Sequence, residues 1–299
     1  MANLTLGPKV RKPLHLHDNK LKRLEKKANE IREDLVRSLI EAGSGHSAGT
    51  LGMADIFVAM YFHIMNHDPK KPKWKDRDRL ILSNGHIAPI QYATMAHAGY
   101  FKKNLLMTLR KFGSPLQGHP EKDRLPGIET TSGPLGEGAS QAAGMAYVGL
   151  LEQRPWRVYC LLGDGELDAG QNWEAFLFAA KYNLYNLTFI IDRNNIQIDG
   201  TTEDVMPIES LENKLEAFNL NVIRCPGNNI REFVAAIEHA HGVSEKPTAI
   251  IADTIPGYGI DFMEYDFTWH GKPPGKGKEA QEALAQLRTL GGKIQSEHE

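Results

Sequence analysis

Residues 156 to 200, WRVYCLLGDGELDAGQNWEAFLFAAKYNLYNLTFIIDRNNIQIDG, constrain the fold more than any other stretch of the chain. An apolar run over 156 to 162 ends at Gly163-Asp164-Gly165, and a helical stretch follows over 170 to 182. A second apolar run over 187 to 192 then ends at Asp192-Arg193-Asn194-Asn195. Two buried strands joined by a helix are parallel neighbours in one sheet. Three further runs have strand character: RDRLILS ending at Ser83, LNVIRC at 220 to 225 and PTAIIAD at 247 to 253, with another helical stretch over 230 to 241. The alternation predicts an α/β fold, an open parallel sheet with helices on both faces.

Before that unit, residues 1 to 17 mix prolines and basic residues without periodicity and read as an N-terminal arm. Residues 18 to 299 read as a single domain. It opens with an amphipathic helix in which Leu21, Leu24, Ala28, Ile31, Leu35 and Leu39 share a face, ended near Gly43. The segment from Met53, MADIFVAMYFHIM, is apolar all round and predicts a buried helix. The tail from Gly271 passes from a Pro/Gly loop to a peripheral helix.

Charge narrows the function. With 35 Lys+Arg against 37 Asp+Glu the net charge is −2, which supplies no field for nucleic acid or an anionic membrane. The two cysteines, Cys160 and Cys225, make no disulfide framework or metal motif. The first 20 residues have no apolar stretch of signal-peptide length, no window is apolar enough for a membrane span, and a cytoplasmic setting is expected. Neither a phosphate-binding Gly-x-x-x-x-Gly-Lys loop nor a strand-linked Gly-x-Gly-x-x-Gly occurs, so a nucleotide site is disfavoured.

Ligands bind an open α/β sheet at the carboxyl ends of its strands, so Asp164 and Asn194 are expected to meet in space. A carboxylate, a carboxamide and a backbone carbonyl at Ile196 would leave three places on an octahedral Mg2+ for two diphosphate oxygens and a water. The glycines around Asp164 permit close approach of backbone N–H groups to phosphate, and the following helix offers its positive end. Each tripeptide by itself also reads as an ordinary turn; their placement on two strand ends of one unit carries the metal reading.

These residues resemble the thiamine-diphosphate enzymes, and the chain looks like the N-terminal half of transketolase. The resemblance covers roughly residues 20 to 275 and rests on SGHSAGTLGMAD (44 to 55), DRLILSNGHIA (78 to 88), GHPEKDRLPGIETTSGPLGEG (118 to 138), the Gly-Asp-Gly segment and WHGKPP (269 to 274). It implies a pyrophosphate-binding domain with Asp164, Asn194 and the Ile196 carbonyl on Mg2+, a place that Ca2+ or Mn2+ can also take. It puts Gly163, Gly165 and Glu166 among the cofactor residues, with Gly165 against the diphosphate. His86 and His270 would approach the diphosphate or reacting centre, and His46 and His119 would face the sugar. Gly133 and Leu135 would lie against the cofactor's rings. The remaining histidines match no motif, and Glu174 reads equally as a solvated residue or as part of a carboxylate network reaching a partner.

The sequence departs from the family at Ala169, where Glu is frequent, at Gly227-Asn228-Asn229, where Gly-His-Asp is frequent, and at Pro256-Gly257-Tyr258-Gly259, where a basic run is usual. The family activates its cofactor with a glutamate from a pyrimidine-binding domain, and nothing after residue 275 supplies one. The expectation is therefore one subunit of a split transketolase, needing a C-terminal partner subunit in a two-fold heterotetramer. With that partner it would transfer a two-carbon ketol unit from a phosphorylated ketose to an aldose, using Mg-thiamine diphosphate and sugar phosphates. The alternatives are another thiamine-diphosphate carboligase with a specialised sugar, or a noncatalytic binding subunit.

Overall fold

A computed structural model of the chain describes residues 13–298. Five strands, β1 (Arg79–Leu82), β2 (Val158–Gly163), β3 (Leu187–Arg193), β4 (Asn221–Pro226) and β5 (Thr248–Asp253), form one sheet in the order β1-β2-β3-β5-β4. Every pairing is parallel. The helices are α1 (Asp18–Ala42), α2 (Ala48–Gly52), α3 (Ala54–Ala59), α4 (Ala88–Ala98), α5 (Glu137–Leu151), α6 (Gly170–Lys181), α7 (Thr202–Val205), α8 (Leu211–Ala217), α9 (Ile230–Gly242) and α10 (Lys278–Ser296).

Strand side chains alternate between two cores. On one face Tyr159, Leu161, Ile190 and Ile250 pack with α1, α3, α4 and α9. On the other, Cys160, Leu162, Phe189 and Ile251 pack with α5, α6 and α8. Both thiols are buried and unpaired, and burial pushes the Cys225 thiol up to about 12.

Local departures from the expected boundaries have physical causes. β2 begins at Val158 and not at Trp156, because the Arg157 N–H donates to the Asp78 carboxylate at 2.8 Å and the Trp156 ring lies under the Arg79 guanidinium, 4.6 Å from its centroid. The helix expected from Met53 is α3 continued by a π turn over Met60–Ile64. α1 stops where Gly43 takes φ 65, a left-handed cap that glycine adopts at little cost. α10 is less peripheral than expected: Ala283 and Leu287 are fully buried against α1, and the Asn29 amide donates to the Leu287 carbonyl at 2.9 Å. Of the expected arm, residues 1–12 lie outside the described residues, while Leu14 and Leu16 pack on the core.

α1 is tied to the first turn of α3 by a buried charge pair. Arg32, 1% exposed, pairs with Asp55 and also donates from Nε to the Leu51 carbonyl at 3.2 Å. The amide of Asn228, at one of the positions where the sequence departs from the family, donates to Asp55 Oδ2 at 2.9 Å and to the Gly52 carbonyl at 2.8 Å. Removing one partner strands the other charge in the interior, so Asp55→Ala is expected to lower unfolding stability by about 3–5 kcal/mol in urea titration. A loss within the range of an exposed ion pair, under about 1 kcal/mol, would contradict this.

Candidate functional site

The loops leaving β1, β2 and β3 open on one side of the sheet, where register sets Gly163 opposite Asp192. A cavity of about 430 Å³ lies there, lined by His46, His86, His119, Gly133, Leu135, Gly163, Asp164, Gly165, Glu166, Asn194, Ile196 and His270. Every residue that the sequence singled out for the site is therefore brought to one cavity. Asn84, Asp192, Gln197, Ile198 and Asp199 line it too and were not anticipated. Asn84 follows β1 inside the quoted SNGH motif, so its position was the available signal.

Asp164 is 2% exposed. Its Oδ2 accepts from Arg193 Nη1 at 2.9 Å, the Asn195 N–H at 2.8 Å and the Thr202 hydroxyl at 3.1 Å. Its Oδ1 accepts from the Gly165 N–H at 2.8 Å. Burial raises its pKa, and these donors oppose the shift. Asn194 donates from its amide to Asp192 Oδ2 at 2.8 Å, and its carbonyl oxygen accepts from the Ile196 N–H at 3.0 Å. Asp192, which also accepts from Thr254, is pushed up to about 7 by burial, with the nearby Asp164 charge adding to the rise.

Glu166 is 3% exposed, and its carboxylate joins three segments. One oxygen accepts from the Ser83 hydroxyl after β1 and from the Gly136 N–H at 2.7 Å; the other accepts from the Gly163 N–H at 3.0 Å. Gly136 sits at φ 89, so the loop that carries Gly133 and Leu135 reaches Glu166 through a turn that favours glycine.

In this structure the glycine amides serve the protein's own carboxylates. The N–H groups of Gly163 and Gly165 point to Glu166 and Asp164, because buried carboxylates need donors more than an open cavity does. The helix after Gly-Asp-Gly is also displaced: a 3-10 turn over Gly165–Asp168 intervenes before α6 starts at Gly170.

Four histidines close the opposite wall. Ring centroids are 4.8 Å apart for His46 and His86, 5.3 Å for His86 and His270, and 5.6 Å for His46 and His270. The His46 loop is held by the Ser47 hydroxyl, which donates to the Lys272 carbonyl at 2.6 Å. Nδ1 of His46 and of His270 are buried without a hydrogen-bond partner, as is the Asn84 side-chain oxygen. Burial lowers all four imidazole pKa values; His46 falls to about 4, with His270, Arg110 and His119 repelling its charged form. The site therefore presents neutral imidazoles.

The donors fit a divalent cation held jointly with an anionic ligand. Among the described residues no group of three His, Cys, Asp or Glu could hold a metal ion alone. The set here is one carboxylate, one carboxamide and a backbone carbonyl, which needs oxygens from a ligand such as a diphosphate to complete an octahedron. Among the described residues no helix is long and apolar enough to cross a membrane.

Residues 24–291 match the family model described as transketolase, thiamine diphosphate binding domain. The chain belongs to the transketolase family. It is 41% identical over 247 residues to the 6-deoxy-6-sulfo-D-fructose transketolase subunit SqwG of Clostridium sp. (strain MSTE9), covering 83% of this chain and 90% of that protein. It is also 41% identical over 268 residues to an apulose-4-phosphate transketolase subunit from Actinobacillus succinogenes, covering 89% of this chain and 96% of that one. Transketolase from Leishmania mexicana superposes with a TM-score of 0.81 at 30% identity, over 95% of this chain and 46% of that chain. Human transketolase is 39% identical over 255 residues, 85% of this chain and 40% of its own length. The chain thus corresponds in length to transketolase subunits and spans less than half of the single-chain enzymes. It is a thiamine-diphosphate-binding transketolase-family chain with the open α/β sheet that its sequence predicts.

Histidines with depressed pKa values make stability pH-dependent with a definite sign. Between the ordinary value of 6.5 and about 4 the unfolded His46 binds a proton that the folded one does not, so stability falls as pH drops through that window. The urea midpoint should fall across it, and His46→Asn should flatten the fall; an unchanged slope in the variant would contradict the buried, neutral His46.

Proposed function

We propose that this chain is the thiamine-diphosphate-binding subunit of a split transketolase that, with a C-terminal partner subunit, transfers a two-carbon ketol unit from a phosphorylated ketose to an aldose. The observation that carries the reading is the gathering of His46, His86, His119 and His270 around the same cavity as Asp164 and Asn194. A binding protein without turnover has no need of four desolvated imidazoles there.

Asp164, Asn194 and the Ile196 carbonyl hold the cation, Mg2+ by the donor chemistry, together with the diphosphate. The chemistry supplied by bound thiamine diphosphate is nucleophilic attack on a ketose carbonyl. Gly133 and Leu135 flank the cofactor's rings, and Leu135, 45% exposed, leaves that wall open for a partner chain to complete. Glu166 serves the cofactor from behind, through the loops it joins. His86 and His270 stand nearest the reacting centre, while His46 and His119 face the sugar. Neutral imidazoles donate hydrogen bonds to developing alkoxide and accept hydroxyl protons, and one such group typically contributes about 10²- to 10⁴-fold.

A partner is also supported by the surface. On α5 and α6, Tyr147, Phe178 and Tyr182 form an aromatic cluster with centroids 4.7–5.8 Å apart, and Leu151 and Leu177 beside them are 50% and 58% exposed. An apolar band of this kind suits burial in a two-fold heterotetramer. A specialised ketose donor is the second reading, favoured by relatives whose names specify apulose-4-phosphate and 6-deoxy-6-sulfo-D-fructose.

The full chain alone is expected to bind Mg-thiamine diphosphate weakly and to turn over no sugar, and addition of the partner subunit should restore ketol transfer. Strong activity of the chain alone would overturn the split-enzyme reading. In the reconstituted complex Asp164→Ala should lower the rate by about 100-fold or more. An unchanged rate at saturating Mg2+ and cofactor would instead favour a noncatalytic subunit.

A further inference from the structure

Arg193 is a buried cation beside the carboxylate proposed to hold the metal, and the proposed function leaves it without a role. It is 3% exposed at the end of β3, where register and the Asp164 N–H to Asp192 carbonyl bond at 3.2 Å bring it next to Asp164. Its guanidinium is fixed from both sides. Nη1 donates to Asp164 Oδ2 at 2.9 Å, while Nη2 donates to Glu203 Oε1 at 2.8 Å and Glu209 Oε1 at 2.9 Å. The fork cannot turn away from Asp164 without breaking two other ion pairs.

The two oxygens of Asp164 are consequently unequal. Oδ2 is saturated by three donors, Arg193, the Asn195 N–H and the Thr202 hydroxyl, whereas Oδ1 carries only the Gly165 N–H. A cation can take Oδ1 but would have to displace a guanidinium to take both. Mg2+ is satisfied by single oxygens at octahedral positions, whereas Ca2+ commonly takes carboxylates through both oxygens and needs six to eight ligands. Carboxylate denticity is therefore a selectivity lever here.

We infer that Arg193, assisted by Thr202, is a positioning residue that restricts Asp164 to coordination through one oxygen and so biases the site toward Mg2+ over Ca2+. The inference rests on the metal-diphosphate reading of the cavity. Arg193 touches neither cofactor nor substrate in this role; it acts through Asp164.

The test is calorimetric titration of the complex reconstituted with the partner subunit, with Mg2+ and with Ca2+ at saturating thiamine diphosphate, comparing wild type with Arg193→Met and Thr202→Val. The ratio of the two dissociation constants should move toward Ca2+ by about 10-fold in Arg193→Met, the scale of changes made behind a metal ligand. It should move the same way, by less, in Thr202→Val, which removes one donor from Oδ2 without changing charge and keeps the test alive if Arg193→Met fails to fold. Arg193→Lys, which keeps a charged donor, should stay nearer the wild-type ratio. General structural damage would weaken both cations alike and leave the ratio fixed. An unmoved ratio in folded Arg193→Met, or in Thr202→Val if the former is unfolded, overturns the inference and leaves the metal site standing. Absence of any cofactor-dependent cation binding in the wild-type complex overturns both.

Discussion

The buried Glu166 carboxylate, shared by the Ser83 hydroxyl and the amides of Gly136 and Gly163, joins three separate chain segments at the mouth of the sheet. A carboxylate taken out of water must find donors, and the donors available are the ends of β1 and β2 and the turn into α5. Satisfying one charge therefore fixes three loops. The same loops carry Asn84 and His86, Gly133 and Leu135, and Asp164, so the width of the cavity follows from that set of hydrogen bonds. Parallel strands make the arrangement possible, because their carboxyl ends all face the same side.

The electrostatics divide the cavity in two. On the strand side Asp164 is paired with Arg193, and burial pushes Asp192 up to about 7. On the other side four histidines, desolvated and close together, favour the neutral form. A near-neutral chain can thus hold anions through a cation and hydrogen-bond donors without a broad basic surface. Unpartnered Nδ1 atoms on His46 and His270 mark where a ligand's polar groups would complete the site.

Much of this was legible in the residue pattern. Apolar runs identify β1, β2, β3 and β5 because both their faces are buried, β4 at the sheet edge is half-buried and still marked by its run, and strand ends flanked by glycine identify the ligand side. Three things were not legible. The role of Glu166 depends on a distant serine and on a backbone amide thirty positions away, and no local signal reports it. That the Gly163 and Gly165 amides donate to Glu166 and Asp164 was not legible, because a glycine beside a phosphate-type motif says nothing about nearby buried carboxylates. Arg193 sits inside the most informative motif, yet only the parallel register shows that its guanidinium lies on Asp164.

The account stands or falls on where a cation and a diphosphate come to rest. A crystal of the full chain grown with thiamine diphosphate and Mn2+, read by anomalous scattering, tests this directly. One anomalous peak within coordination distance of Asp164 Oδ1, the Asn194 side-chain oxygen and the Ile196 carbonyl, bridged to both phosphates inside the cavity, is the predicted result. A diphosphate bound with no cation between Asp164 and Asn194, or one lying outside the cavity, would contradict it.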